Sequence, residues 1–296
     1  MDQFIQGKRS TKVNHDNAQR TTACDDETTE DLYPPTEPKL SRVLKCIIKV
    51  IPSSDIRHTD LTGRFPVVSK TGKQYIMIMI CDNYIHAELM NSRCDADYVK
   101  AYAHGTVFFK KYGVTPSYER MDNETSDLLK QYCLDHDPRI TIQHVPPGNH
   151  RGNKAERAIR TFKNHFISAL CTVDPNFPMH LFEHLIEQAE LTLNLLRGSP
   201  FSPHVSVWHA LRGPFSYTNY PLAPPGMKIV CFESSEKRHS WATHGVDGFY
   251  LGPALEHHRC YKVYITETRA TRITGQLSWH PLPHTLYRAC LRSTTP

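Results

Sequence analysis

Residues 74–82 restrict the fold more than any other segment, because they form a near-continuous apolar run with the sequence QYIMIMICD. A strand that faces solvent on one side alternates apolar and polar residues, whereas this run offers no polar face. The run is also far too short to span a bilayer. It therefore predicts a strand that is buried on both faces, inside a sheet that is covered on both sides.

The segments around this run alternate between strand-like and helix-like patterns from about residue 41 onward. Strands are predicted at 56–61, 74–82, 84–90, 117–122 and 139–145, with an apolar segment of ambiguous type at 42–51. Helices are predicted at 95–113, 125–135, 153–171 and about 179–197. The order β-β-β-α-β-α-β-α-α indicates a mixed α/β sheet with helices on its faces, antiparallel at its start and parallel later.

Changes in composition set the predicted domain boundaries. Residues 1–40 are polar, acidic and poor in apolar residues, which predicts a disordered N-terminal tail. Short β-rich runs at 227–232, 247–251, 260–266 and 270–277 predict a small barrel-like β module. The predicted parts are the tail 1–40, the α/β core 41–200, a linker 201–222, the β module 223–280 and a C-terminal tail 281–296.

Charge is unevenly distributed along the chain. The formal net charge is +5, and because residues 1–40 hold eight acids and five bases, the remainder carries +8. A basic body suits a polyanionic partner such as nucleic acid, although a merely solvated basic surface is a common alternative. The nine cysteines include no C-x-x-C pair, so neither a disulfide framework nor a four-ligand zinc site is expected. We expect a soluble intracellular protein that does not engage a membrane.

The helix at 153–171 carries one acid, Glu156, within a track of cations. Lys or Arg recurs at every third position, at 151, 154, 157, 160 and 163. Apolar residues at 155, 159, 162, 166 and 170 form the predicted buried stripe. Glu156 would then lie at the border of core and solvent, where an ion pair with Arg160 one turn later is the simpler interpretation.

Two aspartates change that interpretation. Asp60 ends the strand 56–61 and Asp122 ends the strand 117–122, and such strand ends line the usual crevice of an open α/β sheet. Together with Glu156 they would form an acidic trio, whose mutual repulsion a divalent cation relieves. Two Mg²⁺ ions held in this way stabilise the attacking and leaving oxygens of a phosphodiester displacement.

Other polar residues near these segments have simpler interpretations. Asp82 is predicted to lie in a turn, and Glu124 and Asp127 to cap the helix that starts near residue 125. His58 and His150 are predicted to be surface or loop histidines rather than catalytic bases.

The predicted β module holds a second candidate nucleic-acid surface. Lys237 and Arg238 lie beside Trp241, and cations interleaved with aromatic rings suit contacts to a nucleic-acid backbone and base stacking. The tyrosines at 250, 261 and 264 are instead predicted to form the core of the module.

Several of these segments together resemble the integrase of copia-type long-terminal-repeat retrotransposons. HTDLTGRFP (58–66), RMDNE (120–124), NKAERAIRTFKNHF (153–166) and TLNLLR (192–197) resemble its catalytic core. The segments APPGMKIV (223–230) and GVDGFYLGPALEHHRCYKVYI (245–265) resemble the β-rich segment that follows that core. The resemblance implies an RNase H-like fold and the chemistry of a polynucleotidyl transferase with two aspartates and one glutamate.

The resemblance also implies roles for individual residues. Asp60, Asp122 and Glu156 match the catalytic acids, which would bind Mg²⁺ or Mn²⁺, with two ions expected. The implied DNA contacts are Lys154, Arg157, Arg160 and Lys163 on the helix and Lys237 and Arg238 in the β module. Implied partners are element ends and target DNA, further copies of the chain and other products of a retrotransposon polyprotein. The site of action would be the nucleus, after synthesis in the cytoplasm.

The sequence departs from the family pattern at three points. The 33 residues between Asp122 and Glu156 are fewer than the family usually has, and Glu124 stands where the family usually has glycine. The paired His and Cys of the family's zinc-binding module are missing, which favours a fragment of a polyprotein. Two alternatives therefore stay open, an integrase-derived DNA-binding protein without chemistry and another RNase H-like nuclease.

Overall fold

The computed structural model describes residues 55–122, 125–136, 138–145, 154–202, 204–233, 241 and 243–280. All of these residues belong to one compact unit, Val50–Pro296. The predicted tails 1–40 and 281–296 and the segment 42–51 lie outside the described residues, as do Glu124, His150, Lys237 and Arg238.

The first sheet has five strands, which confirms the predicted mixed α/β architecture. They are β1 (Ile56–Leu61), β2 (Tyr75–Cys81), β3 (Tyr84–Met90), β4 (Tyr118–Met121) and β5 (Thr141–His144). Their order is β3-β2-β1-β4-β5, with β1, β2 and β3 antiparallel and β4 and β5 parallel to β1. This is the strand arrangement of an RNase H-like fold.

Strand β2 is buried on both faces, as its sequence predicts. Alternate side chains enter two separate hydrophobic clusters, with Ile76, Ile78 and Ile80 in one and Met77, Met79 and Cys81 in the other. At its end, Asp82 and Asn83 adopt positive φ angles of 45° and 70°, which is the geometry of a two-residue hairpin turn. The turn leads directly into β3 and confirms the interpretation of Asp82.

Helices cover both faces of this sheet. They are α1 (Asp95–Lys111), α2 (Asp127–Asp135), α3 (Lys154–Leu170), α4 (Phe182–Leu196) and α5 (Val207–Arg212), with a short 3-10 turn at Met179–Leu181. Helices α1, α2 and α5 contribute to the cluster that holds the β2 methionines, and α3 and most of α4 to the isoleucine cluster. No helix among the described residues is both long and apolar enough to cross a membrane.

Two details differ from the sequence interpretation. The predicted linker 201–222 contains helix α5, whose Val207 and Trp208 are buried in the core. Helix α2 is capped by Ser126, whose side chain accepts a hydrogen bond from the Leu129 amide, whereas Asp127 lies in the first turn. A serine hydroxyl satisfies a free amide of the first turn directly, so it takes the cap position ahead of the aspartate.

The second sheet is antiparallel throughout. Its strands are β6 (Lys228–Phe232), β7 (Gly245–Pro253), β8 (Tyr261–Ile265), β9 (Ala270–Thr274) and β10 (Leu277–His280), in the order β10-β6-β7-β8-β9. The run predicted at 270–277 is thus divided between two strands. Tyr250 and Tyr264 are buried, which confirms that they serve as core residues.

The second sheet shares its core with the first. Phe249, Leu251 and Tyr264 belong to the same hydrophobic cluster as α3 and α4. Ring centroids of Phe249 and Phe177 lie 5.4 Å apart in an edge-to-face arrangement. The predicted β module is therefore packed against the α/β core through apolar side chains.

Candidate active site

The pairing of β1 with β4 brings the two predicted aspartates to one edge of the sheet. The parallel register joins Ile56 to Tyr118 and runs on to join His58 to Arg120. Continued by two residues, the same register places Asp60 beside Asp122. Both aspartates thus lie where the two parallel strands end, at the carboxyl edge where ligands of open α/β sheets bind.

A polar depression opens at this edge of the sheet. Its lining comprises Thr59, Asp60, Leu61, Arg93, Tyr98, Met121 and Asp122. The Leu61 amide donates a 2.7 Å hydrogen bond to Oδ1 of Asp60, which fixes that carboxylate in the mouth of the depression. Asp60 is half-buried, whereas Asp122 is exposed.

Helix α3 brings the third predicted acid toward the same edge. The Lys154 amide at the start of α3 donates a 3.3 Å hydrogen bond to Nδ1 of His58 in β1. Ala155 is fully buried beneath this turn, while Glu156 is exposed on the next position. The contact joins a point two residues before Glu156 to a point two residues before Asp60.

His58 corrects a prediction. It was expected to be a surface or loop histidine, but it lies inside β1 with an exposed fraction of 3%. The strand places its side chain against the start of helix α3, where the Lys154 amide donates a hydrogen bond to it. It accepts a hydrogen bond from the helix amide rather than contacting solvent.

Asp60 interacts electrostatically with both of the other acids. Burial raises the pKa of Asp60, and the negative charges of Glu156 and Asp122 raise it further. The Leu61 amide bond and the positive charge of Arg93 act in the opposite direction on this pKa. The structure therefore brings the predicted trio within the range of charge–charge interaction.

The trio is not a closed metal cage. Across the described ranges, no group of three or more His, Cys, Asp or Glu side chains is arranged so that it could hold a metal ion. The two observations agree, because charges interact over distances several times longer than a metal–ligand bond. Carboxylate oxygens are the ligands that Mg²⁺ prefers, so the donor chemistry of the trio fits a divalent cation.

The predicted cations on α3 lie in solvent. Lys154, Arg157, Arg160 and Lys163 are all exposed. Next to them, a groove of about 310 Å³ is lined in part by Lys154, Arg157 and Arg197. In the β module, Trp241 is fully exposed, while the role of its neighbours Lys237 and Arg238 stays a prediction.

Sequence reasoning missed a buried ion pair behind the site. Nε of Arg57 in β1 lies 2.6 Å from Oε2 of Glu119 in β4, and neither side chain is exposed. Oγ1 of Thr59 and the Tyr102 hydroxyl donate further hydrogen bonds to this carboxylate, at 2.6 and 2.9 Å. The pair fixes the β1–β4 register on which the aspartate positions depend. Charges in short strands usually face solvent, so the pattern gave no sign of it.

Arg93 was also missed. It lies between β3 and α1, in a stretch whose sequence shows neither a periodic pattern nor a family motif. The signal that would have found it is spatial, because the sheet brings the end of β3 near the ends of β1 and β4.

Solved structures, rather than sequence families, are what this chain matches. No family model matches it, and no curated protein matches it. A chain of the simian T-cell lymphotropic virus intasome in complex with PP2A regulatory subunit B56 gamma is 15% identical, covers 81% of this chain and 83% of that chain, and has a TM-score of 0.44.

Two of the other matches are integrase catalytic cores. The HTLV-2 integrase catalytic core domain in complex with magnesium (trimeric form) is 16% identical, covers 55% of this chain and 100% of that chain, and has a TM-score of 0.42. The catalytic core domain of BIV integrase is 17% identical, covers 53% of this chain and 93% of that chain, and has a TM-score of 0.39. These likenesses concern the fold.

Proposed function

We propose that this chain comprises the catalytic core and C-terminal β module of a copia-type retrotransposon integrase, and that it catalyses DNA strand transfer. The observation that carries the proposal is the location of Asp60 and Asp122 at one edge of the sheet, with Glu156 on the helix whose first amide contacts β1. The β1–β4 register aligns the two aspartates, and the charges of Asp122 and Glu156 both act on Asp60. The carboxylates are contributed by two parallel strands and the helix that packs over them.

These three residues would hold two Mg²⁺ or Mn²⁺ ions. Such ions supply charge neutralisation at the phosphate and favour ionisation of the attacking hydroxyl. The chain itself orients the substrate. The exposed cations of α3 bind backbone phosphates on either side of Glu156, and the hydrogen bond from the Lys154 amide to His58 holds the start of that helix against β1.

The proposed reaction exchanges one phosphodiester for another. The oxygen of a terminal 3′-hydroxyl of the element DNA forms a bond to a phosphorus of the target DNA, and its proton passes to solvent. The bond from that phosphorus to the target 3′-oxygen breaks, and this oxygen takes up a proton. Atoms and electrons balance without an oxidant or a reductant, and no covalent protein–DNA intermediate forms.

The proposal extends to partners and location. The substrates are element ends and target DNA, and further copies of this chain bring two ends together. Other products of the same polyprotein accompany it, and strand transfer takes place in the nucleus after synthesis in the cytoplasm. The formal net charge of +8 on residues 41–296 supports a polyanionic substrate.

A second candidate function is DNA binding without chemistry. It is favoured by one observation, namely that no described group of acids is arranged to hold a metal ion. In that case the basic face of α3 would still bind DNA, and the acid trio would be a relic.

One experiment separates the two candidates. The full chain is incubated with labelled duplex ends and Mg²⁺ or Mn²⁺, beside Glu156→Gln and the control Glu267→Gln, an exposed acid in the turn between β8 and β9. We expect metal-dependent joined products from the wild type and the control, and none from Glu156→Gln. Salt-sensitive DNA binding without any product from the wild type would instead support the second candidate, DNA binding without chemistry.

A further inference from the structure

Arg93 shares the polar depression with Asp60 and Asp122. It is exposed, and it follows β3 just before α1 begins at Asp95. A single arginine beside two acids has two simple explanations, namely a counter-charge for the acids or a site for a second anion. The way in which its guanidinium is held separates them.

The guanidinium is held from behind by neutral groups. Nη2 donates a 3.2 Å hydrogen bond to the carbonyl of Thr62, and the guanidinium carbon lies 5.4 Å from the centroid of the Tyr75 ring. A carbonyl and an aromatic face orient an arginine without neutralising it. The described hydrogen bond uses one of the five N–H donors of the group.

Arg93 lines the depression beside Asp60, yet the contacts described for its guanidinium are the Thr62 carbonyl and the Tyr75 ring. Arg93 is therefore placed close to the acids but is held by other groups.

We infer that Arg93 donates hydrogen bonds to the non-bridging oxygens of a DNA phosphodiester that enters the depression between Asp60 and Asp122. The planar fork of a guanidinium matches two phosphate oxygens, and such charge-assisted pairs are among the strong hydrogen bonds. The inference rests on the proposed function in naming DNA as the ligand. It adds a cation that the helix and the β module do not supply.

The test measures DNA binding rather than catalysis. Fluorescence anisotropy of a labelled duplex follows the affinity of the full chain across a salt series, without divalent metal. Each phosphate contact contributes about 0.9 to the slope of log affinity against log salt. Arg93→Gln should therefore reduce that slope by about one, which makes the loss of affinity between about 50 and 200 mM salt about fourfold smaller.

Two variants control this result. Arg93→Lys keeps the charge and should keep the slope. Arg139→Ala removes an exposed arginine just before β5 starts, at the opposite edge of the sheet, and should leave the slope unchanged. Circular dichroism confirms that each variant is folded, and the Gln and Lys variants retain a side chain long enough to cover Tyr75.

The outcomes distinguish this inference from the proposed function. A slope for Arg93→Gln equal to that of the wild type overturns it, as does a wild type whose DNA binding does not depend on salt. Failure of the wild type to join DNA ends defeats the proposed chemistry but leaves the slope comparison intact. A smaller slope in Arg93→Gln that Arg93→Lys restores supports the contact even in a silent protein.

Discussion

Nε of Arg57 lies 2.6 Å from Oε2 of Glu119, and the two fully buried side chains join β1 to β4 inside the core. The pair is located three residues before Asp60 on one strand and three residues before Asp122 on the other. Thr59 and Tyr102 donate hydrogen bonds to Glu119, and Arg57 donates one to Thr106. Because Tyr102 and Thr106 belong to helix α1, these bonds join both strands to that helix. A polar network of this kind specifies one register, because a shift in the strand pairing would leave its charges unpaired in an apolar core.

We predict that Glu119→Gln destabilises the protein by about 3 kcal/mol or more, since it leaves the Arg57 charge buried without a carboxylate. Urea unfolding measures the loss. The double variant Arg57→Met with Glu119→Gln should recover part of the stability, because it also removes the unpaired charge. A change below about 1 kcal/mol in the single variant would contradict the importance of the pair.

The pairing of His86 with Glu190 predicts a dependence of stability on pH. Burial alone would lower the pKa of His86, but the charge of Glu190 and hydrogen bonds to Glu190 and Glu88 raise it to about 9. Nδ1 of His86 lies 3.1 Å from Oε2 of Glu190, and Nε2 lies 3.5 Å from Oε2 of Glu88. Because the folded pKa exceeds the unfolded value, this contribution is complete below about pH 6.5 and is lost as pH rises through about 9.

Unfolding in urea at pH 6 and at pH 10 tests this expectation. The wild type should lose up to about 3 kcal/mol of this contribution between the two values. His86→Gln should be less stable at pH 6 and should lack that part of the pH dependence. His104→Gln is the matched control, since it removes an exposed histidine that contacts the same Glu88. Equal pH dependence in His86→Gln and the wild type would show that the pair does not act in this way.

The packing of Phe249 predicts that the two sheets unfold together. Its ring is buried against Phe177, in the cluster shared with α3 and α4. Phe249→Ala should cost about 3–5 kcal/mol and lower the stability of the whole unit in one transition. Phe232 is 46% exposed. Phe232→Ala should therefore change stability by about 0.5 kcal/mol or less. A separate early transition confined to the second sheet would show instead that it folds independently.

The sequence predicted the parts of the fold that depend on periodic patterns. Strand β2 and helix α3 are long enough to show which side chains are buried, and the structure confirms both. Helix α5 has only six residues, which is too short to show a helical period, so the sequence predicts part of a linker there. The division between β9 and β10 was missed because the pattern stays strand-like across Gly275 and Gln276.

The candidate site was predictable only in part. Asp60, Asp122 and Glu156 follow from strand ends, a helix face and a family resemblance, all of which are local in sequence. Arg57, Glu119 and Arg93 act through contacts between segments that lie far apart along the chain, and no local pattern encodes those contacts. The sequence therefore predicts the acids themselves but not the contacts that position them.

The repulsion within the acid trio predicts a metal-dependent change in stability. Burial raises the pKa of Asp60, and the neighbouring charges of Glu156 and Asp122 raise it further, so an ionised Asp60 opposes folding when no cation is present. In EDTA, Asp60→Asn should raise the melting temperature. The corresponding gain in the free energy of unfolding should be on the order of half a kcal/mol, because the site is open to solvent. Added Mg²⁺ should stabilise the wild type, because a ligand that binds only the folded state shifts the unfolding equilibrium, and should stabilise Asp60→Asn much less.

Asp247→Asn, which removes an exposed carboxylate paired with Lys228 in the second sheet, serves as the control and should respond to Mg²⁺ as the wild type does. Identical melting shifts in the wild type and Asp60→Asn would remove Asp60 from the set of metal ligands and leave the silent DNA-binding candidate as the better account of this edge of the sheet.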